Sequence, residues 1–375
     1  MMRRGDGTRM HRFGRITVLG ALIIGATILI AGQSRASAQT DPRWDNSYCL
    51  SCHEGSTAEI SLPSGETLGV AVDGDAYADS VHGKLDVACV LCHTAITTYP
   101  HDPITAKSRR DFTVQMYTAC LTCHYPEYTQ TRDSDHERAR ADGVMEAAVC
   151  TDCHGSHDVQ PPGKPRTSIP LMCRKCHSEI YDAYEESVHG EALTTGNPDV
   201  PTCTDCHGVH DVKGPHVNSP FRLFSPQICA ACHADKALMD KYDISTNVFS
   251  SYLSDFHGTT VVLFEKLAPG QQTNKPVCVD CHGVHDIKAP ADVDSSVYKK
   301  NLLATCRRCH PDATTNFPDA WLSHYAPSPT EAPLVYWVNT FYKILIPTVI
   351  GAMLLAVLLD VRRRLAARLR GRRRG

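Results

Sequence analysis

All eighteen cysteines of this 375-residue chain fall in one pattern, C-x-x-C-H. The nine copies are Cys49-Cys52-His53, Cys89-Cys92-His93, Cys120-Cys123-His124, Cys150-Cys153-His154 and Cys173-Cys176-His177, followed by Cys203-Cys206-His207, Cys229-Cys232-His233, Cys278-Cys281-His282 and Cys306-Cys309-His310. Each can attach one c-type haem, two thiols adding to the porphyrin vinyl groups and the adjacent imidazole binding iron. The two-residue gap puts both sulfurs on one edge of the ring with the imidazole beneath the metal. Zinc knuckles, disulfides and thioredoxin-like pairs also use paired cysteines. None of them needs a histidine directly after every pair, so the nine copies predict nine haem c groups.

Eleven histidines lie outside these motifs. His11 falls in a leader segment, which leaves ten candidates for the second axial position. An internal repeat sorts them. Each unit holds a first motif, a histidine on a short helical stretch, a second motif and a closing His-Asp pair. The clearest copy starts at Cys173 and runs through Tyr184-Glu185-Glu186-Ser187-Val188-His189-Gly190 to Cys203-Thr204-Asp205-Cys206-His207-Gly208-Val209-His210-Asp211. The unit before it places His136 and His157-Asp158 at the same points, and the unit after it His257 and His285-Asp286. In the first unit Ser80-Val81-His82-Gly83 matches well, while an insertion after His93 pushes His101-Asp102 outward. A half unit ends the array with His324.

The expected distal ligands are therefore His82, His101, His136, His157, His189, His210, His257, His285 and His324, one for each iron. His101 and His136 have the most divergent surroundings. A histidine three residues after a proximal one cannot reach the far face of its own haem, so His157, His210 and His285 are expected to serve a neighbouring haem. The helical histidines are expected to serve the haem whose motif follows them. His216 fits no repeat position and reads as a loop residue or a replacement ligand. Met116, Met145, Met172 and Met239 are not needed by count.

The elements that hold these groups must be small. Aromatic residues make up 7% of the chain, and the 24 glycines and 23 prolines break any long hydrophobic periodicity. Between Gln39 and Ala332 there are about 33 residues per motif. The expected fold is mostly short α-helices and irregular loops around a haem core, with few strands and one C-terminal transmembrane helix. Residues 39–325 would form the nonahaem domain, four two-haem repeats plus a half repeat. Residues 326–333 (APSPTEAP) read as a stiff linker.

Both ends read as membrane-directed. Residues 1–38 have a basic start, an apolar run from Ile16 to Ala31 and Ala36-Ser37-Ala38 as a cleavage site, the pattern of a signal peptide; an uncleaved anchor is the alternative. Residues 334–360 are apolar enough to span a bilayer, with Tyr336, Trp337, Phe341 and Tyr342 at the aromatic-belt position. Eight arginines follow within residues 361–375, which places the tail in the cytoplasm and the haem domain on the periplasmic side of a bacterial inner membrane. Without leader and tail, 24 basic residues face 40 acidic ones. That field argues against nucleic acid and favours redox proteins with basic docking faces.

The Ser-Val-His-Gly and C-x-D-C-H-G-x-H-D stretches resemble the cytochrome c3 and doubled C-x-x-C-H group of multihaem cytochromes, over nearly the whole exported region. The anchor resembles that of periplasmic cytochromes in quinone-linked chains. The likeness implies electron transfer and a membrane partner, an integral quinol-oxidising or b-type cytochrome subunit. The NapC/NirT quinol dehydrogenases do a similar job, but with an N-terminal anchor and fewer haems. Octahaem relatives share the motif style, and the alternative reading is a reductase of small nitrogen or sulfur compounds at one open haem. That chemistry often replaces a proximal histidine by lysine, and no C-x-x-C-K occurs here. Nine bis-histidine irons have no open position and point instead to an electron carrier.

Overall fold

A computed structural model describes residues 41–215, 221–267, 275–320, 324, 327–330 and 332–372. The leader at 1–38 and His216 lie outside them. The chain is mostly short helices, with a single antiparallel pair of strands, Glu59–Ser61 and Thr67–Gly69, in which Ile60 faces Leu68. Two units are compact. One comprises residues up to 122 together with 155–160; the other comprises 123–154 and everything from 161 onward.

The side chains build almost no core of their own. Among the described residues, the buried hydrophobic cluster is Leu223, Val261 and Val277, with Val279 packed against it. Four motif helices are one turn long, at Cys89–Cys92, Cys150–His154, Cys203–His207 and Cys278–His282. Helices this short are marginal in water without tertiary support. Their support comes from caps. In the C-x-D-C-H motifs the aspartate turns back on the helix start: Val149, Thr202 and Val277 donate their N–H groups to Asp152, Asp205 and Asp280 at 2.7, 2.6 and 2.6 Å. Arg166 and Arg222 then pair with Asp205 and Asp280, 2.9 and 2.5 Å away.

A second recurring device precedes the helical histidines. Ser80, Ser134 and Ser187 are 0%, 3% and 1% exposed, and each accepts the N–H three residues on, from Gly83, Glu137 and Gly190. A serine at the N-cap satisfies one of the helix's unpaired donors. Five residues before the histidine, Tyr77, Tyr184 and Tyr252 donate their hydroxyls to the carbonyls of Val87, Pro201 and Pro276, each two residues ahead of the next motif's first cysteine. One tyrosine thus fixes a helical histidine relative to the motif after it. The glycine after the histidine follows from the same packing. A Cβ on Gly83, Gly190 or Gly258 would lie 1.9 to 2.0 Å from the carbonyl oxygen of that tyrosine.

From Pro333 to Arg372 the chain is one helix, interrupted in sequence only by Pro347. Its apolar part reaches a mean hydropathy of 2.5, with none of that window buried against the protein. At about 1.5 Å per residue the 40 residues extend about 60 Å, roughly twice a bilayer's hydrocarbon thickness. The helix contains the expected span at 334–360 and continues into the arginine tail.

Two substitutions test the tyrosine device. Gly190→Ala forces backbone movement against Tyr184 and is expected to cost about 2 kcal/mol or more, whereas Tyr184→Phe removes one hydrogen bond and is expected to cost about 1 kcal/mol. Denaturant titration followed by visible circular dichroism checks both, and equal losses would contradict the glycine argument.

Candidate metal centres

The proximal histidines close the motif helices, and several have one ring nitrogen already engaged. His53 donates Nδ1–H to the carbonyl of Val70 at 2.8 Å, and His207 to that of Lys213 at 2.6 Å. Such bonds fix the tautomer and leave Nε2 for a metal.

Across from eight of the nine lies one of the histidines outside the motifs. In the first unit His53 faces His101 with ring centroids 6.1 Å apart and planes 9° from parallel, and His93 faces His157 at 6.1 Å and 23°. In the second unit His136 faces His177, His154 faces His210, and His282 faces His324, all at 6.2 Å. His189 faces His233 at 6.3 Å, His207 faces His285 at 5.9 Å and His257 faces His310 at 6.2 Å. An imidazole nitrogen lies about 2 Å from a bound first-row metal, so two imidazoles on opposite sides of one ion have centroids about 6 Å apart. Directly stacked rings would be closer.

These gaps suit haem rather than a bare ion. Among the described residues no group of three or more His, Cys, Asp or Glu side chains is arranged to hold a metal by itself. Two opposed imidazoles offer only two donors, so the group they hold would have to bring the rest of its metal's ligands, as a haem would. None of the eighteen motif cysteines is tied up in a disulfide. Cys173 and Cys203 share a hydrogen bond, as do Cys229 and Cys278, so attachment points of consecutive motifs touch. Burial pushes His93 and His189 down to about 4 and lowers His136, His154, His157, His233, His282, His285 and His324, keeping them in the neutral form that binds metals.

The pairing differs from the expected one. The helical histidines skip the following motif: His136 faces His177 rather than His154, His189 faces His233 rather than His207, and His257 faces His310 rather than His282. The cause lies in the backbone. The residue before His136 and His189 donates its N–H to a carbonyl two residues beyond the His-Asp histidine of the next unit, Asp135 to Val212 and Val188 to Ile287, both at 2.9 Å. Lys213 and Lys288 reinforce the join through the carbonyls of Asp133 and Glu186. The helical histidine therefore opens toward the next repeat. Conversely, His157, His210 and His285 each face the second motif of the previous repeat. His53 and His101 are the exception, both from the first repeat.

A glycine turn aims the His-Asp histidines. Gly155, Gly208 and Gly283, directly after a proximal histidine, have φ of +76°, +84° and +82°, and their missing Cβ would lie within 2.6 Å of Asp158, Asp211 or Asp286. Asp75-Ala76-Tyr77 and Asp182-Ala183-Tyr184 mark the register of the repeat in sequence, but the hydroxyl bonds of the tyrosines, the capping by the aspartates and the arginines seven residues before Cys173 and Cys229 are not predicted from it. Their constant offsets from the motifs are the signal that would have found them.

The pairing predicts which iron each substitution opens. His136→Ala is expected to produce one high-spin haem. Adding Cys173→Ala and Cys176→Ala should abolish that signal, whereas adding Cys150→Ala and Cys153→Ala should leave it. Electron paramagnetic resonance of the three variants reads the result directly.

Residues 81–178 match the family model described as Cytochrome c3, a stretch that holds four of the nine C-x-x-C-H motifs. No solved structure matches the chain.

Proposed function

We propose that the chain is a multihaem c-type cytochrome that carries nine bis-histidine haems as an electron conduit between an inner-membrane partner and periplasmic redox proteins, a reading the Cytochrome c3 match over residues 81–178 supports. The observation that supports this most is the set of eight opposed histidine pairs at the spacing of one metal. His82 and His124 are added as ligands on their sequence positions alone. The eighteen motif cysteines provide the attachment points.

Haem, when bound, supplies an iron that cycles between ferric and ferrous states, and two imidazoles favour lower potentials than a His/Met pair. The chain's own residues do the rest. The opposed imidazoles would hold both faces of the iron and leave no place there for substrate or water. Backbone carbonyls such as those of Val70 and Lys213 keep the rings in orientation, so little rearranges when charge moves. Touching thiols on consecutive motifs keep attachment sites close enough for electrons to pass along the chain.

The helix Pro333–Arg372 would anchor the array, with the arginine tail cytoplasmic and the haem domain outside the membrane. A signal peptide at 1–38 fits export, which haem attachment requires. The anchor suits a quinol-oxidising or b-type cytochrome subunit as electron donor. The acidic exported region suits acceptors with basic docking faces, whose association should weaken as salt rises.

The test is haem quantification with low-temperature electron paramagnetic resonance on the oxidised protein. The expected result is nine haems per chain, all low-spin. A stoichiometric high-spin signal would mean an iron lacking its second imidazole, and fewer haems would mean motifs that are not used.

A further inference from the structure

The second ligand expected at haem one is held differently from its counterparts in the later repeats. His101 sits on irregular chain between helix Cys89–Cys92 and helix Arg109–Met116. Among the described residues, no backbone hydrogen bond joins 97–106 to any other part of the chain. The Nδ1 of His101 donates to the carbonyl of the adjacent Asp102 at 3.0 Å, a bond that travels with the loop. What pins the stretch lies to either side: the Tyr99 ring meets Tyr48 edge-on at 4.9 Å, and Ala106 is buried.

Its counterparts are fastened differently. His157, His210 and His285 each follow a left-handed glycine closed by an aspartate, and two residues on the chain is bonded to a neighbouring helix start. His136 and His189 ride on serine-capped helices. His101 keeps the His-Asp pair but has neither the glycine turn nor the backbone join. Its partner is secure, because His53 ends a helix, belongs to a covalent motif and is held by Val70.

We propose that on reduction His101 leaves the iron of haem one, which then binds a small neutral π-acceptor ligand of the carbon monoxide and nitric oxide class. The exchange breaks one Fe–N bond and forms one bond from iron to the ligand. No electron is transferred, and His101 keeps its nitrogen lone pair. Such ligands bind ferrous iron because it donates electron density back to them, and access to the distal side decides whether they enter. The array thus gains a sensing or reactive end at the repeat farthest in sequence from the membrane helix. This rests on His53 and His101 being the axial pair of haem one.

The test uses full-length haem-loaded protein in detergent, with carbon monoxide as probe. The oxidised protein is first checked for low-spin iron, since a high-spin signal at that stage overturns the axial pair itself. After reduction, absorbance should show one haem in nine forming the adduct. Its rate should saturate with rising carbon monoxide, because release of His101 is limiting. In His101→Ala one haem in nine should still react, with a rate linear in carbon monoxide and at least 10-fold faster at the highest concentration. Tyr99→Ala keeps His101 but loosens the loop, and should raise the saturating rate several-fold. No adduct in the wild type, identical kinetics in wild type and His101→Ala, or an unchanged rate in Tyr99→Ala would overturn the proposal.

Discussion

Two imidazoles facing each other across about 6 Å are spaced for a group between them rather than for packing on one another. A protein interior is normally packed as densely as an organic crystal, and unfilled space there costs stability. Polar rings held in such gaps are worse still unless something bonds to them. The arrangement becomes favourable once a flat, apolar group with a central metal occupies each gap. A haem bound there would take both ring nitrogens at its iron and would cover apolar surface around them. The scarcity of a side-chain core and the opposed rings are two aspects of one constraint: the fold is a set of brackets spaced for the group they clasp.

Because those brackets contribute little hydrophobic burial of their own, local polar bonds carry the precision. The one-turn helices of the C-x-D-C-H motifs are too short to persist alone, so an aspartate caps each, and in two repeats an arginine braces the aspartate. A tyrosine ties each intact Ser-x-His-Gly stretch to the following motif. The glycine beside the histidine is there because the tyrosine carbonyl occupies the space a methyl group would need. The third haem's repeat lacks both groups, with Thr131 and Glu137 at those positions, yet Ser134 still caps the helix and His136 still meets a proximal histidine. The serine cap and the backbone join to the next repeat are therefore sufficient to aim the ring.

Much of this was legible in the residues. Covalent chemistry fixes the C-x-x-C-H spacing, so the attachment points can be read without knowing the fold. The distal histidines could be found as well, because the repeat forces them into constant register. Their partners could not. Pairing depends on which way a one- or two-turn helix faces, and that is set by long-range backbone bonds such as Val188 to Ile287, which leave no mark in the identity of either residue. Proximity in sequence favours the following motif, whereas the register between repeats selects the one beyond it. The long apolar helix was legible for the opposite reason, since its character comes from composition alone.

The exchange of ligands between repeats has a consequence for how the molecule comes into being. His93 must wait for His157, 64 residues later, and His207 for His285, 78 residues later. Under the proposed ligation, a chain delivered from its N-terminus carries, at every stage, an iron whose second ligand has not yet arrived. Only the terminal half repeat, with His310 and His324, closes the last such vacancies by answering His257 and His282. The array is thus completed from its membrane end, and a chain cut short anywhere before that point would retain an exposed, reactive iron at its unfinished edge.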